Sequence, residues 1–314
     1  MTTYLFTNIL GSFVLDQNLK IIDQTLFTSV EQYLEKSATE QKIQKAHPNT
    51  QPLPQDKLFQ VLAIFKDQKY FTTFKNFNRL ITKKAMQLSV SEDQLIIQTI
   101  ANINEIDKNV NILSKRLREW YSLYFPELSQ RTPDHQKYAE LLIEKTKQQL
   151  ADEIKLTEES MGTELSEIHL QQMKLLAQQI LSFYTLRQQH EQYLETVMKQ
   201  YCPNIQSLAG TTIAARLIEL AKGLKHLALL PASTVQLLGA EKALFRHLKT
   251  GNRSPKHGVI INHPLVQNAK RTEKGRSARL LADKLSLCAR LDYFKGEFKA
   301  EQYKKELIEK LKSK

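Results

Sequence analysis

Residues 165–201 read LSEIHLQQMKLLAQQILSFYTLRQQHEQYLETVMKQY. Within this stretch, one set of positions recurs alternately four and three residues apart: Leu176, Ile180, Phe183, Arg187, His190, Leu194, Val197 and Tyr201. This alternation is the heptad pattern of helices that pack lengthwise against one another. It predicts one long helix from about Leu165 to Tyr201, in which the polar positions Arg187 and His190 fix the register or the partner.

Two further helices are predicted on the N-terminal side of this stretch. Ser91 with Glu92-Asp93-Gln94 supplies a cap and an acidic first turn, and an apolar stripe then continues to Pro126. Another helix fits from Asp134 to Leu156, and Met161-Gly162-Thr163 is expected to form a hairpin tip. We expect residues 134–201 to fold into a coiled-coil hairpin that dimerises, with an ordinary helical-bundle core as the alternative. The predicted dimerisation residues are Leu176, Ile180, Phe183, Leu194 and Val197.

The first 90 residues show a different sequence pattern from that of the predicted helices. Three short β-rich runs, Tyr4–Phe6, Ser12–Leu15 and Leu19–Ile22, are separated by turn residues and predict a β-meander. A helix fits from Ser29 to Lys45, whereas periodicity alone leaves Leu58–Phe65 open as either a strand or a buried helix. The sequence therefore predicts a mainly α protein with a small N-terminal α/β domain, a long antiparallel coiled-coil hairpin and a C-terminal all-α domain.

Positive charge is concentrated in the last third of the chain. Residues 210–314 hold 22 Lys and Arg against 9 Asp and Glu, a net charge of +13, while residues 1–209 have a net charge of −1. A charge imbalance of this kind indicates a local binding surface for a polyanion. Three basic elements lie there: a short helix between two glycines, a loop between two prolines, and a longer amphipathic helix, with Arg246, His247, Lys249, Lys256, His257, Lys274, Arg276, Arg279 and Lys284 as their candidate contacts.

Each element suggests a contact with nucleic acid. The N-terminus of the short helix offers backbone N–H groups for a phosphate, and its Lys and Arg side chains add positive charge. His257 in the loop is suited to stacking on an unpaired base while Lys256 binds a phosphate. The longer helix, Lys274–Phe294, places cations along one face above buried leucines. Charge alone leaves RNA, DNA and acidic protein as open alternatives.

The familiar signatures of catalysis are missing. The nine glycines are too dispersed for a Walker A loop or a dinucleotide fingerprint, and no G-x-S-x-G occurs. His190-Glu-Gln-Tyr-Leu has Leu194 where a zinc protease needs its second His. We therefore predict a non-catalytic chain without cofactor or metal. The two cysteines do not suggest a disulfide framework, and no signal peptide or membrane span is visible, so we expect an intracellular protein.

Several specific sequence motifs resemble those of one protein family. Gly239–Gly251 (GAEKALFRHLKTG), Pro255–Ile260 (PKHGVI) and Lys274–Phe294, which ends ARLDYF, closely resemble the Nop domain. Leu117–Leu128 (LREWYSLYFPEL) and Glu159–Glu167 (ESMGTELSE) look like the coiled-coil region of the archaeal Nop-family core protein and its nucleolar relatives. The resemblance is strong from 91 to 294 and weaker over 1–90, where Tyr4–Phe27 is similar to the family's N-terminal meander.

The resemblance implies a division of labour. It divides the chain into a fibrillarin-docking domain (1–90), a connecting helix (91–133), a dimerisation hairpin (134–201) and a Nop domain (202–314) that binds RNA and protein. The chain would be a scaffold of the box C/D guide particle for 2′-O-ribose methylation. It would bind the guide RNA's kink-turn together with the kink-turn-binding protein, and recruit fibrillarin as the methyltransferase. The implied RNA or protein contacts are Gly239, Glu241, Lys242, Arg246, His247, Lys249, Thr250, Lys256, His257, Arg276, Arg279 and Lys284.

Several alternatives remain. A spliceosomal-type Nop-domain protein that binds a kink-turn in a small nuclear RNA is the nearest one. A methyltransferase acting alone would bind the methyl donor, and a general coiled-coil DNA binder would bind duplex DNA as well as kink-turn RNA. The long charged tail of nucleolar relatives is absent, which favours an archaeal-type, cytoplasmic protein; a eukaryotic one would be nucleolar.

Overall fold

The computed structural model of the protein describes residues 3–156 and 159–312. The chain divides into two compact units, one ending at Ser91 and the other beginning at Glu92. Within the described ranges, all four strands lie in the first unit, and the second unit is built from helices. This arrangement confirms the mainly α fold class with a small N-terminal α/β part that the sequence predicts.

The sheet of the N-terminal unit contains the predicted meander. Strands β1 (Thr3–Asn8), β2 (Gly11–Leu15) and β3 (Ile21–Leu26) pair antiparallel in sequence, and β4 (Thr50–Pro52) joins β1 in parallel. The strand order is β3-β2-β1-β4. β2 is buried along its whole length because it lies between two neighbours and beneath helices, whereas the edge strand β3 is largely exposed.

Four helices complete the N-terminal unit: α1 (Val30–Leu34), α2 (Lys36–Ala46), α3 (Leu58–Ile64) and α4 (Gln68–Ser89). The single helix predicted from Ser29 to Lys45 is interrupted at Glu35, which leaves helical geometry between α1 and α2. The segment that periodicity left open is helix α3. The ring of Phe65, just after α3, packs 4.7 Å from that of Phe13 on β2, measured between centroids.

The second unit contains thirteen helices in the part of the chain that the structure describes. They are α5 (Glu92–Tyr121), α6 (Pro126–Arg131), α7 (His135–Glu144), α8 (Lys147–Glu153), α9 (Glu167–Tyr201), α10 (Pro203–Ala209), α11 (Thr211–Ala221), α12 (Leu224–Leu229), α13 (Ala232–Leu237), α14 (Glu241–Thr250), α15 (Pro264–Gln267), α16 (Lys274–Tyr293) and α17 (Ala300–Lys312). The long helices α5, α9 and α16 agree closely with the sequence prediction.

The hairpin is formed differently from the prediction. The long partner of α9 is α5, not the segment 134–156, because that segment breaks at Lys145 into the short helices α7 and α8. The two polar seam positions of α9 meet α5 directly. Arg187 Nε donates to Asp107 Oδ1 at 2.6 Å, and His190 Nε2 lies 2.7 Å from Asn102 Nδ2. These contacts set the antiparallel register of α5 against α9.

The hairpin connects two separate cores. The core at its tip joins the end of α5, helices α7 and α8 and the start of α9, around residues such as Phe125, Tyr138 and Ile180. The second core joins the start of α5 and the end of α9 to helices α10–α13 and α15–α17, around residues such as Ile100 and Leu285. The long helices therefore run from one core to the other.

Two buried carboxylates tie the second core together. Asp93 Oδ2, in the first turn of α5, accepts a hydrogen bond from the Leu224 N–H at the start of α12 (2.9 Å). Asp292 accepts the N–H groups of Asn204 and Ile205 at the start of α10 (3.0 and 2.9 Å). Each carboxylate satisfies N–H groups that a helix start leaves without an intrahelical partner. Burial raises the pKa of Asp292, and these hydrogen bonds oppose that rise.

Candidate nucleic-acid interface

Helix α14 projects from the second core as a short basic helix. It follows Gly239 (φ 87°) and ends at Gly251 (φ 67°), both in the left-handed region that favours glycine. None of its residues is buried, and Lys242, Arg246 and Lys249 are all exposed. The large apolar side chains Phe245 and Leu248 are also exposed, at 67% and 70%. The helix thus presents cations and apolar side chains together.

Three of the sequence-predicted contacts on α14 have local structural partners, and two of these three, Glu241 and Thr250, lie at the ends of the helix. Glu241 Oε1 accepts the Gly239 N–H at 2.7 Å, so a carboxylate already lies at the start of the helix. A phosphate approaching that helix start would meet negative charge, so the predicted phosphate site there is not supported. The Thr250 hydroxyl donates to the Arg246 carbonyl at 2.8 Å. Glu241 and Thr250 therefore shape the two ends of the helix.

The loop after α14 is fastened to helix α13 and the residues that follow it. Gly258 N–H donates to the Gln236 carbonyl and Val259 N–H to the Leu238 carbonyl, both at 2.8 Å. A side chain on Gly258 would place its Cβ 1.8 Å from the Leu238 carbonyl oxygen, so only glycine fits. Gln236 Nε2 also donates to the Lys256 carbonyl at 2.6 Å. Sequence reasoning missed Gln236, because no motif marks it.

The predicted histidines have different environments. His247 Nδ1 is hydrogen-bonded to the carbonyl of Asn252, which links α14 to the loop. His257 is half-buried beside Gly258, and no hydrogen bond of its ring occurs within the described ranges. His247 therefore braces the loop, whereas the half-buried His257 makes no such link.

Lys256 connects the loop to helix α16. A Cβ on Gly275, in the first turn of α16, would lie 3.3 Å from the Lys256 Cδ, so the lysine stem crosses that turn. Arg279, which is exposed, lies one turn further along the same helix. The structure thus brings the loop and the start of α16 together. We call the exposed cations Lys242, Arg246, Lys249, Lys256 and Arg279 the basic surface.

Two predicted RNA contacts on α16, Lys284 and Arg276, bind other residues of this chain instead. Lys284 is only 8% exposed; its Nζ lies 2.5 Å from Glu306 Oε2 and 4.5 Å from the centroid of the Tyr303 ring. The prediction that Lys284 contacts RNA is therefore not supported, because this side chain instead holds α17 against α16. Arg276 Nη2 donates to the Lys310 carbonyl at 3.0 Å, near the C-terminus of α17.

The predicted dimerisation residues lie in the packing of the chain itself. Ile180 and Leu194 are fully buried, one in each core of the hairpin. Leu176, Phe183 and Val197 are partly buried against the same cores. The heptad seam is therefore covered by the chain's own helices, and these five side chains do not form a free interface.

The N-terminal unit has an exposed face of its own on α4. The apolar side chains Phe71, Phe74 and Met86 are exposed there, and the cations Lys75 and Arg79 lie along the same helix. α4 contains no Asp or Glu. Such a combination of apolar side chains and cations is typical of a protein-docking face.

Other kinds of site were not found among the described residues. No group of three or more His, Cys, Asp and Glu there could hold a metal ion. None of the helices between residues 3 and 312 that the structure describes combines the length and the apolar character needed to cross a bilayer. Burial raises the pKa of the Cys202 and Cys288 thiols to about 12, so neither is an activated nucleophile.

Comparison with protein families gives one match over most of the second unit. Residues 102–313 match the family described as "Nop: snoRNA binding domain, fibrillarin". The chain is 41% identical over 274 residues to an uncharacterized NOP5 family protein of Methanocaldococcus jannaschii; the match covers 80% of this chain and 65% of that protein.

Nucleolar proteins are also similar. Nucleolar protein 58 of Candida albicans is 41% identical over 220 residues, 65% of this chain and 43% of that protein. Nucleolar protein 56 of Caenorhabditis elegans is 36% identical over 239 residues, 67% and 49% of the two chains. The chain therefore spans roughly half to two thirds of the length of these curated relatives. A solved structure, the crystal structure of a fibrillarin/Nop5p complex, aligns with 97% of this chain and 99% of that one at a TM-score of 0.45 and 22% identity.

Proposed function

Because the chain belongs to the Nop family, we propose that it is a non-catalytic scaffold of a box C/D guide particle for 2′-O-ribose methylation. In this proposal the second unit binds the guide RNA's kink-turn together with the kink-turn-binding protein. The N-terminal unit recruits fibrillarin, which transfers the methyl group. The family supports the particle class, and the observation that carries the proposal is the exposed basic helix α14 beside its fastened loop.

The basic surface is the proposed contact with the RNA backbone. Lys242, Arg246 and Lys249 on α14 are exposed, and no ion pair occupies them within the described ranges. Arg and Lys in this state bind phosphates through charge and donated hydrogen bonds. His257 would stack on an unpaired base, since its half-buried ring is held beside Lys256 by the loop. Charge would supply affinity, and the stacked base would help select the RNA.

Phe245 and Leu248 suggest that α14 also contacts a protein. Both are large apolar side chains exposed by about two thirds, on a helix that exposes three cations as well. Binding to phosphates does not account for exposed apolar side chains, whereas a protein partner would bury them. The kink-turn-binding protein, seated on the RNA, would provide that surface. A composite of RNA and protein therefore fits α14 better than RNA alone.

The proposed fibrillarin site is the N-terminal unit, whose α4 offers exposed apolar and cationic side chains. Deletion of residues 1–90 is expected to abolish binding of fibrillarin and to leave RNA assembly intact, since both cores of the second unit lie outside the deleted part. A pull-down with purified fibrillarin measures this. If the truncated chain still binds fibrillarin, the docking assignment is wrong.

Binding of kink-turn RNA tests the proposed function directly. Affinity should be high for a kink-turn RNA with its seated kink-turn protein, and low for the RNA alone or for a linear duplex RNA. Equal affinity for linear duplex RNA without the partner would contradict the proposal. The second candidate function is that of a spliceosomal-type Nop protein, which would bind a kink-turn of small nuclear RNA without fibrillarin. The match to a NOP5 family protein over 80% of this chain favours the box C/D scaffold instead.

We also propose that the chain self-associates as the sequence predicts, but not through the heptad seam, because the seam is already covered.

A further inference from the structure

Two apolar side chains are exposed side by side at the tip of the hairpin. Met161 is 92% exposed, and Leu123, in the turn that follows α5, is 60% exposed. The Thr163 N–H donates to the Leu123 carbonyl at 2.9 Å, so the segments that carry the two side chains are neighbours. Large apolar side chains exposed on adjacent segments are typical of a surface that a protein partner buries.

The segment that carries Met161 is held in place by Glu127, at the start of α6. Glu127 Oε1 accepts the Met161 N–H at 2.8 Å, and Glu127 Oε2 accepts the Ser160 hydroxyl at 2.9 Å. A Cβ on Gly162 would lie 2.0 Å from the Tyr124 carbonyl oxygen, so only glycine fits where the segment crosses that carbonyl. Met161 is therefore presented to solvent on a fixed backbone. Binding to such a surface costs less conformational entropy than binding to a loose loop.

An open pocket of about 510 Å³ lies beside this segment, and its lining includes Tyr124, Glu159 and Glu164. Lys147, at the start of α8, shows which chemistry this pocket binds. Its Nζ lies 4.5 Å from the centroid of the Tyr124 ring and 2.7 Å from Glu164 Oε1. An aromatic ring with a carboxylate beside it attracts a cation. Glu159 is exposed and has no ion pair in the described ranges, so the pocket can accept a further cation.

The region around the pocket is acidic. Residues 144–167 contain seven Asp and Glu against three Lys, a net charge of −4. Two of the three lysines are already paired with carboxylates of the same region. Phosphates would be repelled here, which argues against a nucleic acid as the occupant, whereas a positively charged protein segment would be attracted. This is the reverse of residues 210–314, where the net charge is +13.

We propose that the tip of the hairpin docks a basic, amphipathic segment of a protein partner. Apolar side chains of that segment pack on Leu123 and Met161, and one of its Lys or Arg side chains enters the pocket that Tyr124, Glu159 and Glu164 line. We call these five residues the tip surface. The tip surface shares no residue with the basic surface, so it is an interaction site in addition to those of the proposed function.

NMR of methionine methyl groups tests the site on the full-length chain, which contains five Met. The probe is a synthetic amphipathic peptide of leucine and lysine. Its titration should shift the methyl signal of Met161 saturably. The matched control is Met86, which is 66% exposed on α4 and should not shift, because α4 carries cations and no Asp or Glu. The buried Met173 and Met198 report whether the fold stays intact.

Substitutions separate the contributions of charge and apolar contact. Glu159→Gln with Glu164→Gln should weaken binding of the peptide roughly three- to tenfold, the range for two exposed ion pairs. Leu123→Gln should weaken it about tenfold through lost apolar burial. Leu229→Gln, at an apolar side chain that is 63% exposed on α12, is the control and should leave the affinity unchanged. Melting curves establish that each variant is folded.

Four results would overturn the inference. They are a Met161 signal that does not move, a Met86 signal that moves as far as that of Met161, full affinity for the peptide in the Glu159→Gln/Glu164→Gln variant, and a Met161 signal that single-stranded RNA shifts in place of the peptide. Binding of kink-turn RNA with its seated protein is measured separately. That assay tests the proposed function and depends on none of the residues of the tip surface.

Discussion

Helices α14 and α16 are both amphipathic and basic, but they use their cations differently. On α14, Lys242, Arg246 and Lys249 are exposed and have no ion pair within the described ranges. On α16, Lys284 is buried against Glu306, and Arg276 donates to the end of α17. The number of cations on a helix therefore indicates the charge available to a ligand only where no neighbouring helix binds those cations.

The largest expected effect is on RNA binding when two cations of α14 are removed. Arg246→Ala with Lys249→Ala should weaken binding to every kink-turn RNA about 100-fold, at roughly tenfold (1.4 kcal/mol) for each cation removed. The slope of log affinity against log salt should become shallower by about 0.7–0.9 for each phosphate that the variant no longer neutralises. Titrations at several salt concentrations measure both. Lys225→Ala, at an exposed cation on α12, is the control and should change neither.

A smaller effect is expected when the ring of His257 is removed. His257→Ala should cost roughly 1–3 kcal/mol of binding, the range for a base stacked on an aromatic ring, with little change in the salt slope. If the ring only supports its loop, the Tm would fall along with the affinity. Melting curves of the variant beside its binding curves decide which of the two roles it has.

Lys284→Ala should show the opposite pattern from the α14 variants. The interaction of its ammonium with the Tyr303 ring is of a kind worth about 0.5–2 kcal/mol. We expect the Tm to fall by roughly 2–6 °C while the RNA affinity and salt slope of the folded chain stay within about twofold of wild type. A shallower salt slope in this variant would show that Lys284 contacts RNA after all.

The smallest expected effect concerns His263, a buried counterpart of His257. Its Nε2 donates to the Leu208 carbonyl at 3.0 Å and its Nδ1 accepts the Leu265 N–H at 3.2 Å, so the ring must be neutral. Burial lowers the pKa of His263 below its usual 6.5. The unfolded chain therefore binds a proton more readily than the folded one, and stability should decline as the pH falls below about 6.5.

Melting curves between pH 7.5 and 5 measure the effect of His263. His263→Asn keeps a donor and an acceptor at this helix start but cannot be protonated, so its Tm should depend less on pH over the same range. An unchanged pH dependence in His263→Asn would assign the decline in stability to another group.

The sequence predicts the individual helices of this molecule better than it predicts which helices pack together. The ends of α14 follow from its bordering glycines, and those of α9 and α16 from periodicity; both signals act within a few residues. The helix that packs on α9 cannot be predicted from such local signals. A heptad pattern shows that an apolar stripe is buried by another helix, but not which helix buries it. Both α5 and the segment 134–156 carry suitable stripes and both pack on α9, but the break at Lys145 leaves α5 as the long partner.

The same limit applies to the candidate site. Arg246 and Lys249, which the sequence predicts as RNA contacts, are exposed because no residue of α14 is buried by its neighbours. The burial of Lys284 depends on Glu306 and Tyr303, which follow 22 and 19 residues later on α17, and no local pattern shows that α17 packs there. Phe245 and Leu248 are apolar residues on a helical face, which in most short helices would be buried.

The hydrogen bond from Leu224 to Asp93 has a consequence for synthesis on the ribosome. The start of α5 belongs to a core whose other members follow Leu194, and its carboxylate caps a helix 131 residues later. At 5–20 residues per second, Leu224 would emerge about 7–26 s after Asp93. The tip core needs nothing beyond Tyr184 and can close first. We therefore expect the tip core of the second unit to form before the other core of that unit, leaving the start of α5 dependent on chaperones in the interval.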